Sequence, residues 1–139
     1  MKSGTSINVF VYGTLKPGEA NFSAYCEGKI SSQMIGYTKG NLYALPVGYP
    51  AMTEGKDKVW GVLLTFRDSN LLDLDRLEGY ESQRAANLNE YNRIFVSVYD
   101  EGDRAICRAW AYCMSLSKVR QYGGVRLHSG SWTGASSSN

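Results

Sequence analysis

The sequence predicts an α+β fold: a small, mostly antiparallel sheet curled into a β-barrel-like shape, with a few flanking helices. Three observations support this prediction. Short runs of β-branched and aromatic residues recur along the chain, only one segment has a convincing helical pattern, and an Asp-Glu-Gly-Asp turn joins two strand-like segments. With 139 residues and no internal repeat or linker, the chain fits one domain with a sizeable core.

The first half of the chain is predicted to contain three strands. They are residues 7–12, 33–45 and 59–66. The second of these includes Gly36 and Gly40, so we expect it to be bent or bulged. Residues 21–26 fit a short helix, and residues 46–50 carry two prolines and a glycine, which is typical of a turn.

The second half is predicted to contain one helix followed by a β-hairpin. Residues 68–70 offer N-cap side chains for a helix over residues 71–78, and Gly79 fits the position just beyond a helix end. The hairpin consists of an alternating strand over 91–99, a turn over 100–103 and a return strand over 104–114. Residues 134–139 are rich in Gly and Ser, so we expect a disordered tail after a single domain over 1–133.

Composition excludes several classes of function. The net charge of +2 is small and the basic residues are scattered, which does not indicate nucleic-acid binding. No apolar stretch approaches the roughly 20 residues that a membrane span requires, and the first residues are too polar for a secretory signal. Three irregularly spaced cysteines and one histidine suggest neither a disulfide framework nor a metal site. We therefore expect a cytoplasmic protein, monomeric in the simplest case.

Glu78 occupies an unusual position for a carboxylate. At about 100° per residue it falls within the apolar stripe of the predicted helix, together with Leu71, Leu74 and Leu77. It also precedes Gly79, at the negative end of the helix dipole, where a carboxylate is disfavoured by roughly 0.3–1 kcal/mol. Both effects penalise the ionised form and predict a raised pKa, which suits a general base that later returns its proton. The alternative is that Glu78 pairs with Arg84 or Arg93 and only anchors the helix end.

The end of the first predicted strand is a candidate oxygen-binding site. Tyr12 and Gly13 are followed by Thr14, Leu15 and Lys16, so a buried strand breaks at a glycine and enters a turn. Such a break leaves backbone N–H groups without a partner in the sheet, and these groups can bind a ligand oxygen.

These residues resemble motifs of the γ-glutamylcyclotransferase-like proteins, which include γ-glutamylamine cyclotransferases and the plant avirulence-induced proteins. The resemblance extends in order through nearly the whole chain. Its most specific parts are Tyr-Gly-Thr-Leu at 12–15 and Leu-Glu-Gly-Tyr at 77–80, with further matches at 40–43, 49–51, 59–61, 91–93, 109–112 and 129–132. The family resemblance implies a small antiparallel β-barrel whose ligand cavity lies between the first motif and the glutamate.

By the same resemblance, Glu78 would be the catalytic acid/base. Tyr12, Gly13, Thr14 and Leu15 would bind the substrate, largely through backbone groups, and Tyr91 would line the cavity unless it is simply a core aromatic residue. The implied reaction releases 5-oxoproline and a free amine from a γ-glutamylamine or a related γ-glutamyl conjugate, with no metal or organic cofactor. The sequence leaves open a non-catalytic module that binds a small molecule in the same cavity.

Overall fold

A computed structural model describes residues 6–67 and 71–134, which form six strands, three short α-helices and one 3₁₀ helix. In chain order these are β1 Ile7–Val11, α1 Phe22–Tyr25, β2 Ile30–Ala44, β3 Pro50–Phe66, α2 Leu72–Leu77, the 3₁₀ helix Ala86–Leu88, β4 Asn92–Tyr99, β5 Ala105–Cys113, α3 Leu116–Gln121 and β6 Val125–Arg126.

The strand pairings close into a ring. β3 pairs antiparallel with both β1 and β2, and β4 pairs antiparallel with β5. β1 lies parallel to β5 where Val9 faces Trp110, and β2 meets β4 where Tyr37 faces Tyr99. β6 adds a short antiparallel pairing at the end of β2. The predicted α+β fold with a curled, mostly antiparallel sheet is therefore confirmed, as a ring of strands.

The strand boundaries differ from the prediction mainly in β3. This strand begins at Pro50, whereas the apolar run that predicted it begins at residue 59. Residues 54–58 are exposed and carry no apolar side chain, but Asp57 and Lys58 pair with Gly40 and Lys39 of β2. The predicted irregularity of β2 is confirmed by a register shift between Gly40 and Asn41. Neither α3 nor β6 was predicted from the sequence.

The predicted helix is present as α2, with Glu78 as its C-cap residue and Gly79 at φ +67° just beyond it. The predicted N-cap residues 68–70 lie outside the described residues, as do residues 135–139 of the predicted tail over 134–139. The hairpin between β4 and β5 also has the predicted form, with Asp100 N–H donating to the Arg104 carbonyl at 2.9 Å.

β1 is buried on both of its faces. Val9 and Val11 pack in one core cluster with Leu74 of α2, whereas Phe10 and Tyr12 pack in a second cluster. A strand buried on both faces has a continuous apolar sequence instead of an alternating one. The exit of β1 therefore lies deep in the protein, close to the end of α2.

Candidate active site

A cavity of about 190 Å³ lies where the chain leaves β1 and faces the end of α2. The structure brings all six sequence-predicted site residues to this cavity, together with several that were not predicted. The lining residues are Phe10, Val11, Tyr12, Gly13, Thr14, Leu15, Asn21, Tyr49, Pro50, Leu77, Glu78, Glu90, Tyr91 and Tyr112.

The turn after β1 carries candidate donors for a ligand oxygen. Lys16 N–H donates to the Gly13 carbonyl at 3.1 Å, and Asn21 holds the turn by donating to both the hydroxyl and the carbonyl of Thr14, at 2.9 and 2.8 Å. Within residues 6–67 and 71–134, no acceptor is found for the backbone N–H of Gly13, Thr14 or Leu15. These three groups are available to bind a ligand oxygen at the cavity.

Gly13 is required by a close approach to Pro50. A Cβ atom at this position would lie 2.7 Å from Pro50 Cγ, well inside van der Waals contact. The turn can therefore pack against the start of β3 only because residue 13 has no side chain.

The two predicted tyrosines already use their hydroxyl hydrogens inside the protein. Tyr12 donates to the Tyr112 carbonyl at 2.5 Å and accepts from Met52 N–H at 3.1 Å. Tyr91 donates to the Pro50 carbonyl at 2.7 Å. Both residues are buried, and this burial raises the pKa of each hydroxyl. Their rings therefore form a rigid aromatic part of the cavity wall, and the backbone of Tyr12 leads into the turn.

The end of α2 fixes the direction of Glu78. Gly79 N–H donates to the Arg76 carbonyl at 3.2 Å and Tyr80 N–H to the Asp75 carbonyl at 2.9 Å. This pair of bonds, with Gly79 in the left-handed region, is a Schellman C-cap. It ends the helix directly after Glu78, whose side chain stays on the same side as buried Leu74 and reaches the cavity.

The Glu78 carboxylate has no hydrogen-bond or ion-pair partner in the part of the chain that the structure describes. Its pKa is raised from 4.5 to about 7, first because burial disfavours the charged form and second because the carboxylate of Glu90 repels it. A carboxyl group with this pKa exchanges protons readily at neutral pH.

The two candidate arginines bind elsewhere, so the interpretation of Glu78 as an arginine-paired anchor is wrong. Arg93 Nε lies 3.6 Å from Asp75 Oδ1, which also accepts from the Tyr112 hydroxyl at 2.6 Å. Arg84 bonds to the Gly79 carbonyl at 2.9 Å and pairs with Glu81 at 3.3 Å. Only 14% of the Asp75 side chain is exposed, because Arg93 and Tyr112 cover it.

Glu90 was not predicted as a site residue. Its Oε1 accepts from the Tyr122 hydroxyl at 2.7 Å, and its Oε2 lies 3.5 Å from the Tyr49 hydroxyl. Two backbone bonds place it beside Glu78: Glu90 N–H donates to the Gly79 carbonyl at 3.0 Å, and Tyr91 N–H donates to the Glu78 carbonyl at 3.2 Å. The only sequence signal was its position next to Tyr91.

The cavity wall is anionic. Of the described residues, the two glutamates line it and no lysine, arginine or histidine does. No group of three or more His, Cys, Asp or Glu side chains suited to a metal occurs in residues 6–67 and 71–134. Within the same residues, no helix has the length and apolar character needed to cross a membrane.

Similar architecture is found in several solved structures. A crystal structure of an AIG2-like protein from Mus musculus superposes with a TM-score of 0.69 at 19% identity, over 91% of this chain and 88% of that one. A uropathogenic Escherichia coli-specific protein gives a TM-score of 0.62 at 17% identity, over 92% and 93% of the two chains. These likenesses define the fold as AIG2-like.

Sequence comparison defines the family. Residues 9–134 match the family model described as "Gamma-glutamyl cyclotransferase, AIG2-like". A Vibrio cholerae protein named "Putative gamma-glutamylcyclotransferase" is 31% identical over 98 residues, which cover 69% of this chain and 84% of that protein. The chain therefore belongs to the AIG2-like gamma-glutamyl cyclotransferase family, as its motifs predicted, and is an enzyme of the cyclotransferase type.

Proposed function

We propose that this enzyme releases 5-oxoproline and a free amine from a γ-glutamylamine or a related γ-glutamyl conjugate, with Glu78 as its general acid/base. The observation that carries the proposal is the pairing of two features in one cavity. Among the described residues, a half-buried carboxyl group without a partner lines the same cavity as three residues whose backbone N–H groups have no acceptor.

The substrate supplies its own nucleophile. The α-amino group of a γ-glutamyl group can reach the γ-carbonyl to form a five-membered ring, and a well-oriented attack of this kind saves on the order of 7–11 kcal/mol of the barrier. The enzyme then has to fold the γ-glutamyl chain, remove a proton from the ammonium and stabilise negative charge on oxygen. A serine or cysteine nucleophile is unnecessary.

Glu78 provides the proton transfers. Ionised Glu78 takes a proton from the α-ammonium, and the amine nitrogen attacks the γ-carbon while the carbonyl electron pair moves onto oxygen. When the adduct collapses, the bond to the leaving nitrogen breaks and Glu78 gives that nitrogen a proton. The second hydrogen lost by the ring nitrogen reaches the released amine through water. A pKa of about 7 allows Glu78 both to accept and to return a proton near neutral pH.

The turn at Gly13–Leu15 supplies donors for negative oxygen. Its three N–H groups can serve either the substrate α-carboxylate or the oxygen that becomes charged in the adduct. In the second role, one donor is typically worth about 2.7–4 kcal/mol of transition-state stabilisation.

The test is the substitution Glu78→Gln, which keeps the size of the side chain and removes its basicity. Wild type and variant are incubated with a panel of γ-glutamyl compounds, and 5-oxoproline, glutamate and free amine are measured by mass spectrometry. We expect 5-oxoproline from the wild type and a loss of about 10²–10⁴-fold in the variant. Glu101→Gln, on the exposed β4–β5 turn, is the matched control and should retain activity.

Three results would contradict the proposal. Glutamate in place of 5-oxoproline would indicate hydrolysis by water. Full activity in the Glu78→Gln variant would remove Glu78 from the chemistry. Binding of a γ-glutamyl compound without turnover by either protein would support the non-catalytic binding module.

A further inference from the structure

The second carboxylate of the cavity, Glu90, has no role in the reaction described above. Among the described residues, no lysine or arginine pairs with it; its hydrogen-bond donors are the hydroxyls of Tyr122 and Tyr49. Tyrosine hydroxyls orient a carboxylate without neutralising its charge. Glu90 therefore adds an uncompensated negative charge to a cavity that already contains Glu78.

Both acids line the cavity and both are partly exposed. Glu78 is the C-cap residue of α2, and Glu90 is held by the hydroxyls of Tyr122 and Tyr49. The γ-glutamyl group must lie around Glu78 for its proton to be removed. The leaving amine then extends from the amide nitrogen on which Glu78 acts, and Glu90 lines the same cavity.

Backbone hydrogen bonds hold Glu78 and Glu90 close together. The two bonds between residues 78–79 and 90–91 place Glu90 directly beside the acid that protonates the leaving nitrogen. A positive group a few bonds beyond that nitrogen would lie within reach of the Glu90 carboxylate. A neutral alkyl group there would leave the carboxylate without a counter-charge in a partly desolvated site.

We propose that Glu90 is a specificity-determining residue that binds an ammonium group on the leaving amine, so that the enzyme prefers γ-glutamyl derivatives of diamines to those of uncharged amines. This inference rests on the proposed function, because it assumes that the γ-glutamyl group lies beside Glu78. It assigns a chemical class to the amine half of the substrate.

Two isosteric substrates test it: the mono-γ-glutamyl amides of diaminobutane and of pentylamine, which differ only by an ammonium in place of a methyl group. The quantity measured is the ratio of their kcat/KM values. For the wild type we expect the diamine derivative to be favoured by about tenfold or more, the usual effect of a charge-assisted hydrogen bond. In Glu90→Gln the ratio should fall to near one, because the shape is kept and the charge is lost.

Two further variants separate charge from general disturbance. Tyr122→Phe keeps the Glu90 charge but removes the donor at 2.7 Å that orients it, so its ratio should lie between those of wild type and Glu90→Gln. Glu101→Gln removes one negative charge at the far end of the β4–β5 hairpin and should keep the wild-type ratio. Because both substrates share the same γ-glutamyl group, an effect of Glu90 on Glu78 cancels in the ratio.

The outcomes distinguish this inference from the proposed function. Equal kcat/KM values for the two substrates, or the same preference in wild type and Glu90→Gln, would overturn the role of Glu90 while leaving cyclisation intact. If neither substrate yields 5-oxoproline, the proposed function fails. The role of Glu90 in recognition is then tested by calorimetry, which measures the binding of both substrates to Glu78→Gln and to Glu78→Gln/Glu90→Gln. Tighter binding of the diamine derivative only when Glu90 is present supports the inference, and equal affinities overturn it.

Discussion

Replacing Glu78 by glutamine should stabilise the folded protein, and the gain should grow as the pH rises. The folded protein holds the pKa of Glu78 at about 7, against an ordinary value of 4.5. Below pH 4.5 the carboxyl is protonated in both folded and unfolded chains. Between pH 4.5 and 7 the unfolded chain ionises while the folded protein keeps its proton, so stability is lost across this range and falls no further above pH 7. At about 1.4 kcal/mol per pH unit, the difference between 4.5 and 7 corresponds to about 3 kcal/mol.

The assay is urea unfolding of wild type, Glu78→Gln and the control Glu101→Gln at pH 5 and at pH 8.5. Glutamine resembles the protonated acid, so Glu78→Gln should be more stable than wild type by about 1 kcal/mol at pH 5 and by up to about 3 kcal/mol at pH 8.5. The surface control should stay within about 0.5 kcal/mol of wild type. If Glu78→Gln shows the same difference at both pH values, or is less stable at pH 8.5, then Glu78 is not an unpaired buried carboxylate.

Four further predictions concern the same region. The kcat/KM of the wild type should rise with pH through an apparent pKa of about 7. Glu90→Gln should lower that pKa but leave it above 4.5, because burial is the larger cause of the raised pKa. A pH–rate profile that is the same in wild type and Glu90→Gln would contradict this prediction. Asp75→Asn should move the profile in the same direction, because Arg93 would lose its counter-charge near the cavity. Gly13→Ala should cost about 1–3 kcal/mol in thermal unfolding and reduce kcat/KM, because the new Cβ would clash with Pro50; a variant with wild-type values would refute the close approach. Asn89→Ala should lose about 1–3 kcal/mol in urea unfolding, because its buried amide makes four hydrogen bonds, whereas exposed Asn87→Ala should not.

The parts of the site that could be predicted from the sequence are those set by local rules. Helical spacing from Leu71 to Leu77 placed Glu78 on the apolar face, and Gly79 marked the residue at which the helix ends. Both rules act within a few residues, and the structure follows them. The glycine after an apolar strand was likewise a local signal for unused backbone donors at Gly13.

The parts that were missed depend on contacts between distant segments. Glu90 reaches the cavity because its backbone pairs with Gly79 and because Tyr122 of the unpredicted C-terminal segment holds its side chain. Nothing within a few residues of Glu90 indicates either contact. The first half of β3 was missed for a related reason. Residues 54–58 show no apolar pattern that would predict a strand, and their place in β3 depends on pairing with β2 at Asp57 and Lys58.

The assignment of Asp75 shows why distance along the chain is a poor guide to ion pairs. Asp75 and Glu78 both belong to the end of α2, and Arg93 could have paired with either. The guanidinium of Arg93 lies over the rings of Tyr80 and Trp110, with its Nε nearest to Asp75, and the Tyr112 hydroxyl holds the same Asp75 oxygen. These aromatic rings thus keep the Arg93 guanidinium beside Asp75, a carboxylate that takes no part in the proposed reaction. An arginine paired with Glu78 would keep its pKa low and prevent it from returning a proton at neutral pH. Asp75 and Tyr112 therefore serve the proposed chemistry indirectly, because by holding Arg93 they leave Glu90 as the charged neighbour of Glu78 within the described residues.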